Sequence, residues 1–415
     1  MTMDVAAFDR MVADRATGIL LRHFSAIAAV DLERPLLDIE RDRELLRLHW
    51  ALSQPVVDLV AYVLEHRHEI QSVLQNKLRA EDSVVRGRLD AKRTITLRRL
   101  SGLPTAVVSH EPLRSYASGP NQVLGWVLQQ AWSLSSRFST VTLDSEGYRA
   151  SIDVALQRLE QVRRIHAVSA IAGDAVLNRR PAAAALLEAG RSRRTVYCLA
   201  ADAYRSLLSV EAGDPAVITS MLKKTLLGPL EPWRRFELAV ALSIAEEIAR
   251  TEKSSLILNL LIGDNRRPLA TAGRIAVFWQ WRTHLYKTPE PELSEIVARE
   301  ILAAYGINDA ADRPDIVVVD LPQQAVVAII EVKYLTGEDA SDRVRSAVHQ
   351  LVRYARGYCP TDSLSPLLGR SLIAISQGLA EPPPGPLPSA APAVVDFAGI
   401  MHSGLGAWAK RVCAA

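Results

Sequence analysis

The sequence predicts a two-part protein, a mainly helical region over residues 1–280 followed by an α/β domain over 281–415. Three observations carry this reading: the length, a helical spacing of apolar residues through most of the first part, and a change to β-branched runs beyond a boundary near 270–285. A chain of 415 residues exceeds one ordinary core and, at roughly 150 residues per domain, divides into two or three. Its apolar share of 49% is ample for burying those cores.

In the first part, Leu45, Leu48 and Leu52, then Val56, Leu59, Val60 and Val63, recur at helical spacing, with a break at Pro55. Further helical patterns start at Pro120-Asn121 and cover 151–170, 181–211 and 231–250. A small β segment is expected near 84–115, because Thr94-Ile95-Thr96-Leu97 alternates polar with apolar. That stretch is basic through Lys92, Arg93, Arg98 and Arg99. It reads equally well as a phosphate-contacting ribbon or as an edge strand protected by charge.

In the second part the order is a helix, two β-like runs joined by a short turn, another helix and a further β-like run. The net charge of +3 does not identify a partner, since nucleic-acid binding depends on where Lys and Arg cluster. An N-terminus with Asp4, Asp9, Arg10, Asp14 and Arg15 is unlike a signal peptide, and no uncharged apolar stretch reaches 18 residues. The expectation is a cytoplasmic protein with no membrane partner. Cys198, Cys359 and Cys413 are few and far apart, so neither a disulfide framework nor a zinc site is expected. Phosphate-loop, zincin and α/β-hydrolase motifs do not occur.

The chemistry concentrates in one hairpin. Asp315 to Asp320 and Ala325 to Tyr334 are β-branched runs separated by Leu321-Pro322-Gln323-Gln324. Folding about Pro322 and Gln323 brings Asp315 within one residue of lying opposite Glu331. Side chains two apart on a strand share a face, so Glu331 and Lys333 point the same way. Two carboxylates and an ammonium thus converge where a buried strand leaves the core, which fits either an ion pair or a metal site.

Arg313-Pro314-Asp315 followed by Glu331-Val332-Lys333 resembles the PD-(D/E)XK nuclease superfamily, whose name comes from that pattern. The resemblance covers about residues 285–378. It implies a restriction-endonuclease-like domain with a mixed central sheet, and a helix bearing a Glu ahead of the first strand. Glu292, Glu295 and Glu300 all lie in the stretch Pro291 to Tyr305. The resemblance favours Glu295, helical spacing favours Glu300 near the apolar stripe, and both stay open. Gln350-Leu-Val-Arg-Tyr354 is similar to the Gln-x-x-x-Tyr motif of the RecB-like branch.

What the resemblance implies is a Mg²⁺- or Mn²⁺-dependent deoxyribonuclease. Asp315, Glu331, the Val332 main-chain carbonyl and the helical Glu would hold the metal. Lys333 would orient the attacking water or neutralise charge on the phosphate. Gln350 would reach toward the same centre, while Tyr354 and Arg353 would line a groove for nucleic acid. The order of parts resembles the nuclease subunits of McrBC-type restriction and phage-defence systems, which implies DNA and a separate NTPase or motor as partners, and a homo- or hetero-oligomer. Two other readings stand beside it: a catalytically silent DNA-binding or scaffold subunit on the same fold, and a RecB-like repair exonuclease.

Overall fold

A computed structural model describes residues 4–28, 36–139, 146–173, 179–258, 268–280, 283–288, 296–297, 300–301, 304, 313–335, 340–359, 364–377, 388, 390–402 and 404–415. The chain forms two compact units, one of residues 1–49, 140–151 and 211–415, the other of 50–139 and 152–210. In chain order the elements are α1 (Val5–Ala28), α2 (Leu36–Ala51), α3 (Gln54–Glu65), β1 (Val73–Asp82), β2 (Arg88–Leu89), α4 (Ala91–Ser101), β3 (Ala106–Ser115) and α5 (Gly119–Ser139). There follow α6 (Glu146–Arg163), α7 (His166–Ala172), α8 (Ala183–Gly190), α9 (Thr195–Glu211), α10 (Pro215–Leu222) and α11 (Pro232–Glu252). The remainder are β4 (Leu256–Leu258), β5 (Ala270–Ala272), β6 (Ile275–Trp279), β7 (Ile316–Asp320), β8 (Ala325–Lys333), α12 (Ala340–Tyr358), α13 (Ser365–Arg370), β9 (Leu372–Ile375), β10 (Ala393–Asp396), α14 (Phe397–Met401) and α15 (Gly406–Cys413).

The unit built on 50–139 and 152–210 is helical around a small antiparallel sheet of order β1-β3-β2. Its core is tied by the buried Asn121, whose amide donates to the carbonyls of Gln71 and Tyr116 and whose carbonyl accepts from the Tyr197 hydroxyl at 2.7 Å. The Thr94–Leu97 stretch is not the strand its alternation suggests. It lies inside α4, where the Asp90 side chain accepts from the Arg93 N–H and Gly102 ends the helix at φ 68°. The cap and the left-handed glycine outweigh a four-residue alternation.

The other unit is built on a seven-stranded sheet of order β10-β9-β8-β7-β6-β5-β4. Strands β4 to β8 are antiparallel neighbours, while β8, β9 and β10 run parallel, so the sheet is mixed. The long run Phe236 to Ala249 of α11 is buried except at Glu246, and α11 packs against β5 and β6. Helix α12 packs through Ala347, Leu351, Tyr354 and Ala355 on Ile329, Ile373 and Ile375. The local order is therefore helix α11, five antiparallel strands, helices α12 and α13, and β9 parallel to β8.

This unit starts upstream of the 280/281 division expected from sequence. Strands β4 to β6 and helix α11 all belong to it, and so does α1. Phe8 of α1 packs on the rings of Phe236, Tyr334 and Phe397 at 5.6, 6.0 and 5.3 Å. A buried helix and two three-residue strands carry too little period to mark a boundary, so the sequence of 231–270 does not separate them from the helical region before it. Among the described residues no helix is long and apolar enough to cross a membrane.

Candidate active site

Ile316 pairs with Ile330, which continues to set Asp315 opposite Glu331. A register shift between Val318 and Val319 supplies the one residue that a symmetric hairpin about Pro322 and Gln323 lacks. Asp315 Oδ2 accepts from the Val332 N–H at 2.7 Å, a bond that pins the carboxylate to the neighbouring strand. Glu331 is 2% exposed. Lys333, on the same face, donates from Nζ to Glu331 Oε1 at 2.5 Å and to Gln350 Oε1 at 2.6 Å. Strand alternation and α12 together thus gather four of the residues singled out in the sequence: Asp315, Glu331, Lys333 and Gln350.

Tyr354 sits elsewhere. One turn beyond Gln350, it is 5% exposed and donates its hydroxyl to the Arg313 carbonyl at 3.2 Å. Its ring is core, and it braces the Arg313-Pro314 turn that presents Asp315 instead of lining a groove. The physical reason is the strong amphipathic character of α12, which turns Leu351, Tyr354 and Ala355 to the sheet together. Arg353 is partly buried on that helix.

The helical acid expected from sequence is only partly covered by the described residues. Glu295 and Glu292 lie outside the described residues, and Glu300 is exposed. Among the described residues, a third acid beside Asp315 and Glu331 is Glu237 of α11, 6% exposed, with Oε2 accepting from the Gln280 side-chain amide. Its signal was present in the sequence: a Glu in Phe236-Glu-Leu-Ala-Val-Ala-Leu242 interrupts an apolar run, and burying an unpaired carboxylate costs several kcal/mol, of order, unless function retains it. No spacing argument tied that helix to a strand some eighty residues on.

The three carboxylates strain one another electrostatically. Burial, and next the charge of Asp315, push Glu331 up to about 8. The same two causes push Glu237 up to about 8. Burial pushes Asp315 up to about 6, against the opposing Val332 N–H and the Lys333 charge. Glu331 and Glu237 thus bind protons more readily folded than unfolded. Their contribution to stability is full below the ordinary glutamate value of 4.5 and is lost as pH rises through about 8. Glu331→Gln, which cannot ionise, is therefore expected to gain on wild type in metal-free melting temperature as pH goes from 5 to 8 (approximate limits from this linkage). Parallel melting curves across that interval would show the shift to be absent.

These residues fit a hard divalent cation by donor type. Glu331 Oε2 is buried without a hydrogen-bond partner, and the clustered negative charge is of the kind such an ion relieves. Among the described residues, no three Asp, Glu, His or Cys side chains already converge at metal-cage spacing. Glu331 is drawn to Lys333 and Glu237 to Gln280, so side-chain adjustment would accompany binding.

The basic residues of 92–99 are on α4. Arg93 pairs with Asp90 at 3.8 Å and Arg98 Nε donates to the Ala106 carbonyl at 2.8 Å, while Lys92 and Arg99 are exposed. A 660 Å³ groove beside them has Leu78, Leu97, Leu100 and Val108 in its lining, and Leu100 is 82% exposed. The surface is therefore a helix face of mixed apolar and basic character, not a β-ribbon.

No protein-family model matches the chain, and no curated protein does. Among solved structures it is similar to a chain of the refined half-complex from the tetradecameric assembly of Thermococcus gammatolerans McrB AAA+ hexamers with bound McrC. The identity is 12% over 92% of this chain and 70% of that one, with a TM-score of 0.23. A likeness at that level assigns neither fold nor activity, so the functional reading rests on the side chains gathered at the end of the β7–β8 hairpin.

Proposed function

We propose that the protein is a metal-dependent DNA endonuclease of the PD-(D/E)XK type, the nuclease component of a restriction or anti-phage defence system that works with a separate NTPase. The observation that carries this reading is the hydrogen-bonded set of Glu331, Lys333 and Gln350 with Asp315 on the adjoining strand and Glu237 beside both acids. The element order, with an acid on the preceding helix, supports it.

Asp315, Glu331 and Glu237, with the Val332 carbonyl, would hold Mg²⁺ or Mn²⁺. When bound, such an ion polarises the phosphate and lowers the pKa of water. Lys333 supplies a fixed positive charge where the phosphate gains negative charge, and it holds a water there by donating to it. Gln350 keeps the ammonium aimed by accepting one of its hydrogens and Glu331 accepts a second, which leaves one for water or phosphate. The Asp315–Val332 bond keeps one acid in place before substrate arrives.

The test is incubation of the purified protein with linear, circular and single-stranded DNA plus Mg²⁺ or Mn²⁺, beside Asp315→Ala and Lys333→Ala, with and without a partner NTPase. Cutting of circles establishes an endonuclease. Absence of cleavage in every condition favours a silent scaffold, and cleavage of ends alone favours an exonuclease.

DNA contact by α4 is part of the same proposal. Lys92, Arg93, Arg98 and Arg99, all exposed, carry the expected phosphate contacts, Arg93 and Arg98 also making contacts within their unit. Lys92→Ala with Arg99→Ala is expected to flatten the slope of log affinity against log salt by about 2, near one per lost contact. An unchanged slope, measured by fluorescence anisotropy, removes α4 from the interface.

A further inference from the structure

Gln280 joins three parts of the site. It follows β6, and its main-chain N–H donates to the Asp315 carbonyl at 2.7 Å. Its side-chain Nε2 donates to Glu237 Oε2, and its Oε1 accepts from Arg313 at 3.2 Å. The carboxamide orientation follows from these neighbours, since a carboxylate takes only a donor and a guanidinium offers only donors. The residue is 8% exposed, and its φ of 49° lies in the left-handed region that side chains bearing a Cβ rarely adopt.

A strained, buried glutamine at the junction of α11 with the Arg313–Asp315 turn calls for a reason beyond chain reversal, because glycine adopts that backbone without strain. The reason lies in the kind of partner Glu237 needs. Its carboxylate stands near the charge of Asp315 and is deep in the protein; Trp279 and Arg234 also favour its charged form, and the Gln280 amide donates to it directly. A lysine or arginine would hold it but would also neutralise it. An amide holds one oxygen, leaves the charge, and leaves the other oxygen available to a cation.

We infer that Gln280 is a positioning residue that sets Glu237 against Asp315 for a divalent cation. This rests on the metal-dependent reading above and deepens it, since Gln280 touches neither substrate nor the reacting atoms. Arg313, gripped by the same carboxamide, ties the turn carrying Asp315 to the same point, so the helical acid and the strand acid share one anchor.

The experiment uses the full chain as wild type, Gln280→Gly, Gln280→Met and Glu237→Ala. Mn²⁺ binding is read from the electron paramagnetic resonance signal of the free ion, metal-free stability from melting temperature, and cleavage from the Mg²⁺ concentration giving half-maximal rate. Gln280→Gly is expected to melt near wild type, relief of backbone strain offsetting the lost side-chain hydrogen bonds, yet to bind Mn²⁺ roughly ten- to a hundredfold more weakly, the cost typical of a lost outer contact. Gln280→Met, which keeps the bulk and loses the amide, should bind as weakly, and both should need more Mg²⁺ at unchanged KM for DNA. Wild-type Mn²⁺ affinity in both variants overturns the inference alone. Loss of a cooperative melt in both also overturns it, by making Gln280 a folding residue. A wild type that takes up no Mn²⁺, like Glu237→Ala, overturns the metal-dependent reading and the inference with it.

Discussion

Lys333→Ala is expected to lower DNA cleavage by about a thousandfold, the upper end of what removing one preorganised group facing transition-state charge costs. DNA affinity should change little, because most of it comes from contacts outside the reacting centre. Lys333 is only partly buried, and its ammonium serves Glu331 and Gln350 in the resting protein. Its removal strips a proton donor from Glu331, whose other oxygen already lacks a partner. The variant should therefore also favour neutral Glu331 and bind the cation less well. Lys333→Arg separates the two effects: it keeps the charge but not the compact point donor, so metal binding should recover more than rate. Single-turnover cleavage at saturating DNA, beside circular dichroism to verify folding, is the decisive measurement. Activity within a few-fold of wild type in Lys333→Ala would remove this residue from catalysis.

Glu237→Gln is expected to reduce cleavage at least about a hundredfold, a lost ligand costing no less than a lost outer contact, while making the metal-free protein more stable. The two effects have one cause. The fold holds Glu237 beside Asp315 in a buried place where its charge is disfavoured, which is a stability cost retained for function. Substituting an uncharged isostere releases roughly 1–3 kcal/mol at pH 8, with the gain shrinking toward pH 5 as the wild-type acid takes up its proton. Gln can still meet the Gln280 amide through its own carbonyl, so packing is kept. Thermal melts across pH and cleavage assays on the same preparations test both halves. A variant that is inactive and also less stable than wild type at pH 8 would point to a structural acid.

Much of the site was legible before any coordinates. The Asp315, Glu331 and Lys333 set follows from two local rules, the two-residue period of a strand and the pairing imposed by a short turn, while Gln350 came from the resemblance to the Gln-x-x-x-Tyr motif. Helices through the middle of the chain were legible from apolar spacing. The strand reading of Thr94–Leu97 failed because a four-residue alternation is weaker than the Asp90 cap and the Gly102 terminator that flank it. Tyr354, expected along a groove, lies in the core, since a motif supplies an order of residues and not the face that the sheet claims.

The mainly α and α/β character of the parts, and the acids and lysine of one hairpin, are set by neighbours along the chain and can be read from it. Only the tertiary structure decided that Glu237 is a third acid beside them, that Gln280 and Arg313 bind that helix to the Asp315 turn, and that α1, through Phe8, packs against the residues flanking both Glu237 and Lys333. Those contacts join segments far apart in sequence, and their geometry is set by how α11 and the β6–β7–β8 strands pack, a property that no local period encodes.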